Sequence, residues 1–214
     1  EVAKNLAKSG RKILYIATKK QAKDIATENA KRVDMPYVTE RWLGGMLTNF
    51  ATVRKSIKKM SNIDRMFNEG TVNNMAKKER LALQREREKL ERVLGGITDL
   101  SRLPAAVFIV DIHKEHIATA EAQKLNITSF GMVDTNSDPS QVNYPILSND
   151  DASKSIAMIT EQFTNAVEEG LSERKAEKEE TKKKGKDQGK AEEEEEEEVA
   201  QQKEAEESDS TSEQ

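Results

Sequence analysis

The sequence has 214 residues, enough for one domain with a buried core and further segments around it. It lacks cysteine, which excludes a disulfide framework and a thiolate metal site, and no apolar run approaches the roughly 20 residues needed to cross a bilayer. The formal net charge of -4 averages unlike parts: residues 1–65 hold 15 basic and 6 acidic groups, whereas residues 171–214 hold 9 and 17. A basic front end of this kind points to a polyanionic partner.

The first ten residues lack the continuous apolar stretch of a signal peptide. The first strand is read at Lys12–Ala17, where the unbroken run Ile13-Leu14-Tyr15-Ile16 suits a parallel strand covered on both faces. A helix follows over Lys20–Arg32, with Ala22, Ile25, Ala26 and Ala30 on one face. Pro36-Tyr37-Val38 is a short second strand, and Thr39–Asn49 is irregular. From Phe50 the apolar residues Phe50, Val53, Ile57, Met60 and Phe67 keep a helical spacing, with Asp64 interrupting the series. Lys77–Leu94 reads as a second helix carrying Leu83, Leu90 and Val93, and Glu69–Asn74 is the breaker between the two. This pair is expected to project as an antiparallel coiled-coil hairpin ended by Gly95-Gly96.

Beyond Pro104 the sheet pattern returns, with strands at Ala105–Asp111, Asn126–Val133 and Tyr144–Leu147 and a helix at Lys114–Lys124. Ser148-Asn149-Asp150 then caps a helix over Asp151–Glu169 that buries Ile156, Ile159, Phe163 and Val167. Alternating strands and helices predict an α/β fold: a parallel sheet covered by helices, interrupted by the helical hairpin. The expected domains are a sheet domain over 1–49 and 95–170, the hairpin over 50–94, and a disordered acidic tail over 171–214 that includes the glutamate run Glu192 to Glu198.

Ligands of such sheets bind at the carboxyl ends of the strands. Those ends offer Thr18, Lys19 and Lys20, then Glu40, Arg41 and Trp42, then Asp111 and His113, then Asp134, Thr135, Asn136 and Asp138. The sequence has no G-x-G-x-x-G after a strand, no G-x-x-x-x-G-K-[ST] and no G-x-S-x-G, so neither a catalytic residue nor a cofactor is assigned. His113 and His116, with Asp111 and Asp134, are the weak candidates for a divalent metal, and without a fuller ligand set no metal is assigned either. Asp134–Asp138 lacks the central glycine and the twelfth-position carboxylate of a calcium loop, and reads as a turn built on Asx side chains.

The stretch Arg41–Asn49 is more telling. Arg41 sets a guanidinium beside Trp42, whose indole is suited to stacking on a base and to plugging the core, two roles that can hold together. Gly44-Gly45 lets the backbone approach another surface, and Thr48 and Asn49 offer hydrogen bonds and a helix cap. The following helix continues the basic trend with Arg54, Lys55, Lys58 and Lys59. With Lys19, Lys20, Lys23, Arg41, Trp42 and Asn49, the residues Arg54, Lys58 and Lys59 form the candidate RNA-binding set.

The segment Arg41-Trp42-Leu43-Gly44-Gly45-Met46-Leu47-Thr48-Asn49 resembles one from the bacterial-type small-subunit ribosomal protein S-two family. Val110–Ala118 with Glu121-Ala122 and Val133–Pro139 is a second similar block, and Ala17–Ala22 a third, so the resemblance covers nearly all of residues 1–170. It implies a flavodoxin-like parallel sheet with an inserted coiled-coil hairpin. It also implies a non-catalytic role as a structural constituent of the cytoplasmic small ribosomal subunit in translation. The implied partners are small-subunit ribosomal RNA near the junction of head and body, and neighbouring ribosomal proteins, among them the S-one protein that captures messenger RNA. The family carries a region with a sheet strand ahead of the point matched by Glu1, so the sequence is expected to be N-terminally truncated, with one sheet edge exposed. The acidic tail is expected to be a solubilising extension. Two other readings stand beside this one: a nucleotide binder or enzyme using Asp111, His113 and Asp134, and an adaptor whose hairpin docks a partner helix.

Overall fold

A computed structural model describes residues 1–178, apart from the side chains of Asn73 and Asn74. The expected acidic tail therefore lies, from residue 179 onward, outside the described residues. Five strands, β1 (Ile13–Ile16), β2 (Tyr37–Val38), β3 (Ala106–Ile109), β4 (Thr128–Val133) and β5 (Tyr144–Leu147), form one sheet in the order β2-β1-β3-β4-β5. Every pairing is parallel, with Ile13 opposite Ala106 and Ala106 opposite Thr128. The chain thus reverses its direction of travel between β1 and β3, which places the ligand crevice typical of such sheets between their carboxyl ends.

Alternation within the continuous apolar runs sorts the strands onto two cores. Ile13, Tyr15, Phe108, Val110, Phe130 and Met132 face one layer, with Ala26, Ala30, Ile156, Phe163 and Val167 of the covering helices. Leu14, Ile16, Val107 and Ile109 face the other, with Trp42, Leu47, Ile57, Leu94, Ala118 and Ala122. In the first layer Phe108 stacks on Phe163 at 4.3 Å between ring centroids. Tyr15 shares a 3.1 Å hydrogen bond with Thr164, and burial pushes its phenol up to about 12.

The helices are α1 (Val2–Lys8), α2 (Lys23–Arg32), α3 (Phe50–Asn68), α4 (Lys77–Leu94), α5 (His116–Lys124) and α6, residues 153–171. No helix among the described residues is long and apolar enough to cross a membrane. α1 was not expected: it has no side-chain cap and buries only Ala3 and Ala7. It exists by docking on α6, where a Cβ at Gly170 would lie 3.1 Å from that of Ala7. α2 starts later than Lys20 because residues 19–22 form a turn, with the Ala22 N–H donating to the Lys19 carbonyl. Asp64 does not interrupt α3, since its carboxylate accepts from Arg87 of α4 while Lys59 pairs with Glu86 alongside. Gly95 is right-handed and does not end α4 with a left-handed cap; the chain passes into a 3-10 turn that buries Ile97. Residues 172–178, which form part of a second unit and fall within the tail expected to be disordered, are helical. Their Glu, Arg, Lys and Ala side chains are strong helix formers, and charge alone does not oppose a helix.

Candidate nucleic-acid interface

α5 turns Glu121 toward the loop that follows β2. Its Oε1 accepts from the Trp42 indole N–H at 3.1 Å and the Gly45 N–H at 2.7 Å. Its Oε2 accepts from the N–H groups of Leu47 and Thr48 at 2.9 and 3.0 Å and from the Thr48 hydroxyl at 3.1 Å. Burial opposes the charge, but these donors outweigh it and hold Glu121 below the ordinary carboxylate range. Trp42 is 7 % exposed and packs with Met46 and Leu47, so the indole plugs the core. Gly45 sits at φ +90°, a conformation that favours glycine. Asn49 makes no capping bond to the helix backbone; its Oδ1 accepts from the Thr52 hydroxyl instead. Glu121 was quoted in the sequence only as part of a motif. The available signal was a charged residue on the face of α5 that buries Ala118 and Ala122.

A groove of about 690 Å³ runs between α3 and residues 98–101. Arg54, Lys55 and Lys58 line it with Ser61, Thr98 and Ser101, together with one carboxylate, Asp99. Arg54, Lys55 and Lys58 are exposed and make no ion pair among the described residues, and the same holds for Lys20 and Arg41. Lys23 differs, pairing with Glu40 at 3.1 Å, as does Lys59 with Glu86. The cations of the predicted set therefore divide into those without an ion pair among the described residues and those with one.

Lys19 is the most committed. Its ammonium lies 2.6 Å from Asp151, 2.7 Å from Asp150 and 3.1 Å from Asp111. Burial works against that charge, yet the three carboxylates outweigh it and raise the lysine above its ordinary value. Asp111 sits at φ 67° at the end of β3 and accepts from the Lys114 N–H at 2.9 Å. Glu115 accepts from the Thr18 N–H and hydroxyl, and the Lys114 ammonium reaches the Thr18 carbonyl at 3.2 Å. Burial pushes Glu115 up despite those bonds. The crevice between β1 and β3 is thus filled by the chain's own polar groups.

The weak metal candidates do not converge. Among the described residues, the acidic or histidine group that gathers within 4.8 Å is Asp134, Asp150 and Asp151, and exposed His113 and His116 are not in it. Asp134 instead accepts from the N–H groups of Thr135 and Asp150, which hold it below the usual range. Asp138 caps the turn at Ser140, as the Asx reading expects.

A sheet covered on both faces, a strand-end crevice closed by internal ion pairs and a groove lined by exposed cations describe a scaffold with a cationic flank. The model of the family described as Ribosomal protein S2 matches residues 1–170, and the chain belongs to that family. It is 60 % identical over 177 residues to the "Small ribosomal subunit protein uS2" of Cytophaga hutchinsonii, covering 83 % of this chain and 70 % of that protein. The protein of the same description from Flavobacterium johnsoniae is 64 % identical over 179 residues, 84 % of this chain and 70 % of its own length. That from Parabacteroides distasonis is 58 % identical over 178 residues, 83 % of this chain and 64 % of its own length.

Proposed function

We propose that this chain is a structural, non-catalytic component of the small ribosomal subunit in the cytoplasm, binding ribosomal RNA and neighbouring ribosomal proteins during translation. The observation that carries the reading is its membership of the ribosomal protein S2 family across residues 1–170. Physical support comes from the groove of Arg54, Lys55 and Lys58, where lysine and arginine without an ion pair among the described residues suit a phosphate backbone. Lys20 and Arg41 extend the same exposed charge. At the strand ends Lys19, Asp111, Asp150, Thr18 and Glu115 are engaged with one another, which disfavours the nucleotide-binding reading.

Protein partners, the S-one protein among them, are assigned to the α3–α4 arm, read as a distinct hairpin over 50–94. Its outer faces are highly charged and Leu81 stands exposed on them. Asp64 and Arg87 are bonded across the two helices, so residues 65–86 can be replaced by a short linker without separating the arm's base. That deletion should abolish capture of the S-one protein while leaving the sheet folded by circular dichroism; retained capture removes the arm from the interface.

The decisive test is gradient sedimentation of a lysate carrying the tagged full chain, at low and at high salt. Co-migration with small subunits at low salt and partial release at high salt are expected, because neutralised phosphates release counterions. Migration as free protein under both conditions overturns the reading.

A further inference from the structure

The loop held by Glu121 presents a surface distinct from the basic groove. Its inward side is committed: the N–H groups of Gly45, Leu47 and Thr48 and the Trp42 indole all donate to one carboxylate. Convergent backbone N–H groups of this kind form an anion-binding concavity, and here Glu121 fills it and fixes the loop's shape. The outward side is open. Arg41 is exposed and unpaired among the described residues, and Leu43 is 40 % exposed.

The two adjacent glycines differ in a useful way. Gly45 is demanded by its φ of +90°. Gly44 is demanded by nothing among the described residues: its φ is not positive, and a Cβ built on it meets no heavy atom of theirs within 4 Å. It leaves bare backbone at an exposed point beside an unpaired guanidinium. We propose that residues 41–44 form a preorganised RNA-contact surface on which a sugar–phosphate backbone seats directly against Gly44, with Glu121 as the positioning residue that holds the surface in shape. The proposal rests on the RNA-binding reading above and adds to it a surface and a residue. RNA is favoured over a protein partner because the charge exposed within residues 41–44 is a guanidinium with no ion pair among the described residues, and α3, the next helix in the chain, exposes the further cations Arg54, Lys55 and Lys58.

The test measures affinity of the full chain for small-subunit ribosomal RNA across a salt series. Gly44→Val should lower affinity roughly tenfold or more, with an unchanged melting temperature and an unchanged salt slope, because it removes close approach and no charge. Glu121→Ala should lower affinity similarly and speed hydrogen exchange at the amides of residues 45, 47 and 48. The double variant should bind no more weakly than the weaker single one, since both act on one surface. Arg54→Glu with Lys58→Glu is the reference, expected to lower both affinity and slope. Wild-type affinity in Gly44→Val, with weakened binding in the reference, overturns this proposal while the RNA reading stands. Wild-type affinity in both overturns the RNA reading as well. Normal RNA affinity but failed subunit incorporation in Gly44→Val overturns the RNA assignment by placing a protein against Gly44.

Discussion

Lys19 and Lys58 both look like phosphate-binding residues in the sequence, but their surroundings are opposite. At the strand ends Lys19 is 14 % exposed and meets three carboxylates, each brought by a different stretch of chain than its own. In the groove Lys58 stands exposed with Arg54 and Lys55 and has no carboxylate partner among the described residues. A cation already surrounded by carboxylates has little attraction left for a phosphate, while an unpaired one sheds counterions when a phosphate arrives. The crevice that serves as a ligand site in other doubly wound sheets is here occupied by internal ion pairs, and the exposed cations stand on the flank instead.

The largest effect expected follows from that division. Lys19→Ala strands Asp150, whose side chain is 2 % exposed, and Asp111, at 8 %, without their cation. Removing one partner of a buried ion pair costs about 3–5 kcal/mol. Urea unfolding should show a loss of that size, with little change in the salt slope of RNA binding. A loss below about 1 kcal/mol would mean the carboxylates are relieved by water or protons, and the contrast between the two lysines would shrink to one of degree.

The groove should respond in the opposite sense. Arg54→Glu with Lys58→Glu should leave unfolding free energy within about 0.5 kcal/mol of wild type. The slope of log affinity against log salt should fall by about 1 for each phosphate that is no longer neutralised. An unchanged slope would show that the groove does not face RNA.

Acid sharpens the contrast at a third point. The folded-state pKa of Glu121 is depressed, because its hydrogen bonds outweigh burial. Its contribution to stability is therefore complete above the unfolded glutamate value of about 4.3 and is lost as pH falls through the lower folded value. Below about pH 4.3, amide exchange at residues 45, 47 and 48 should rise relative to the sheet core, and Glu121→Ala should remove that pH dependence.

Much of the scaffold was legible because its signals are local. Unbroken apolar runs such as Ile13–Ile16 mark doubly covered strands, and the α4 boundaries followed from a periodic pattern between breakers. What was missed depends on residues far apart. α1 has seven residues and no cap, and its helix rests on the space that Gly170 leaves on α6. Asp64 looked like a break in the α3 stripe because its partner, Arg87, lies on the other helix. The site divides the same way: the basic residues of α3 were readable from composition, but nothing local told Lys19, held by Asp150 and Asp151, from Lys58. Glu121 was hidden because a carboxylate satisfied by backbone N–H groups has no signature apart from standing in an apolar stripe.

The smallest effect expected lies within the closed crevice. Glu115 is buried and its folded pKa is raised, with burial outweighing the bonds from Thr18. An acid with a raised folded pKa prefers its proton in the native state, so its ionised form works against folding at neutral pH, and acidification through the folded value relieves that. Glu115→Gln keeps a carbonyl oxygen to accept from the Thr18 N–H and hydroxyl while removing the charge. Its melting temperature at neutral pH should equal or slightly exceed that of wild type, and the gain should vanish as pH falls. A clear drop instead would mean that the Glu115 charge is needed beside Lys114, whose ammonium bonds the Thr18 carbonyl in the same crevice. Glu115 would then belong with Lys19 among the ionic groups that hold the strand ends together.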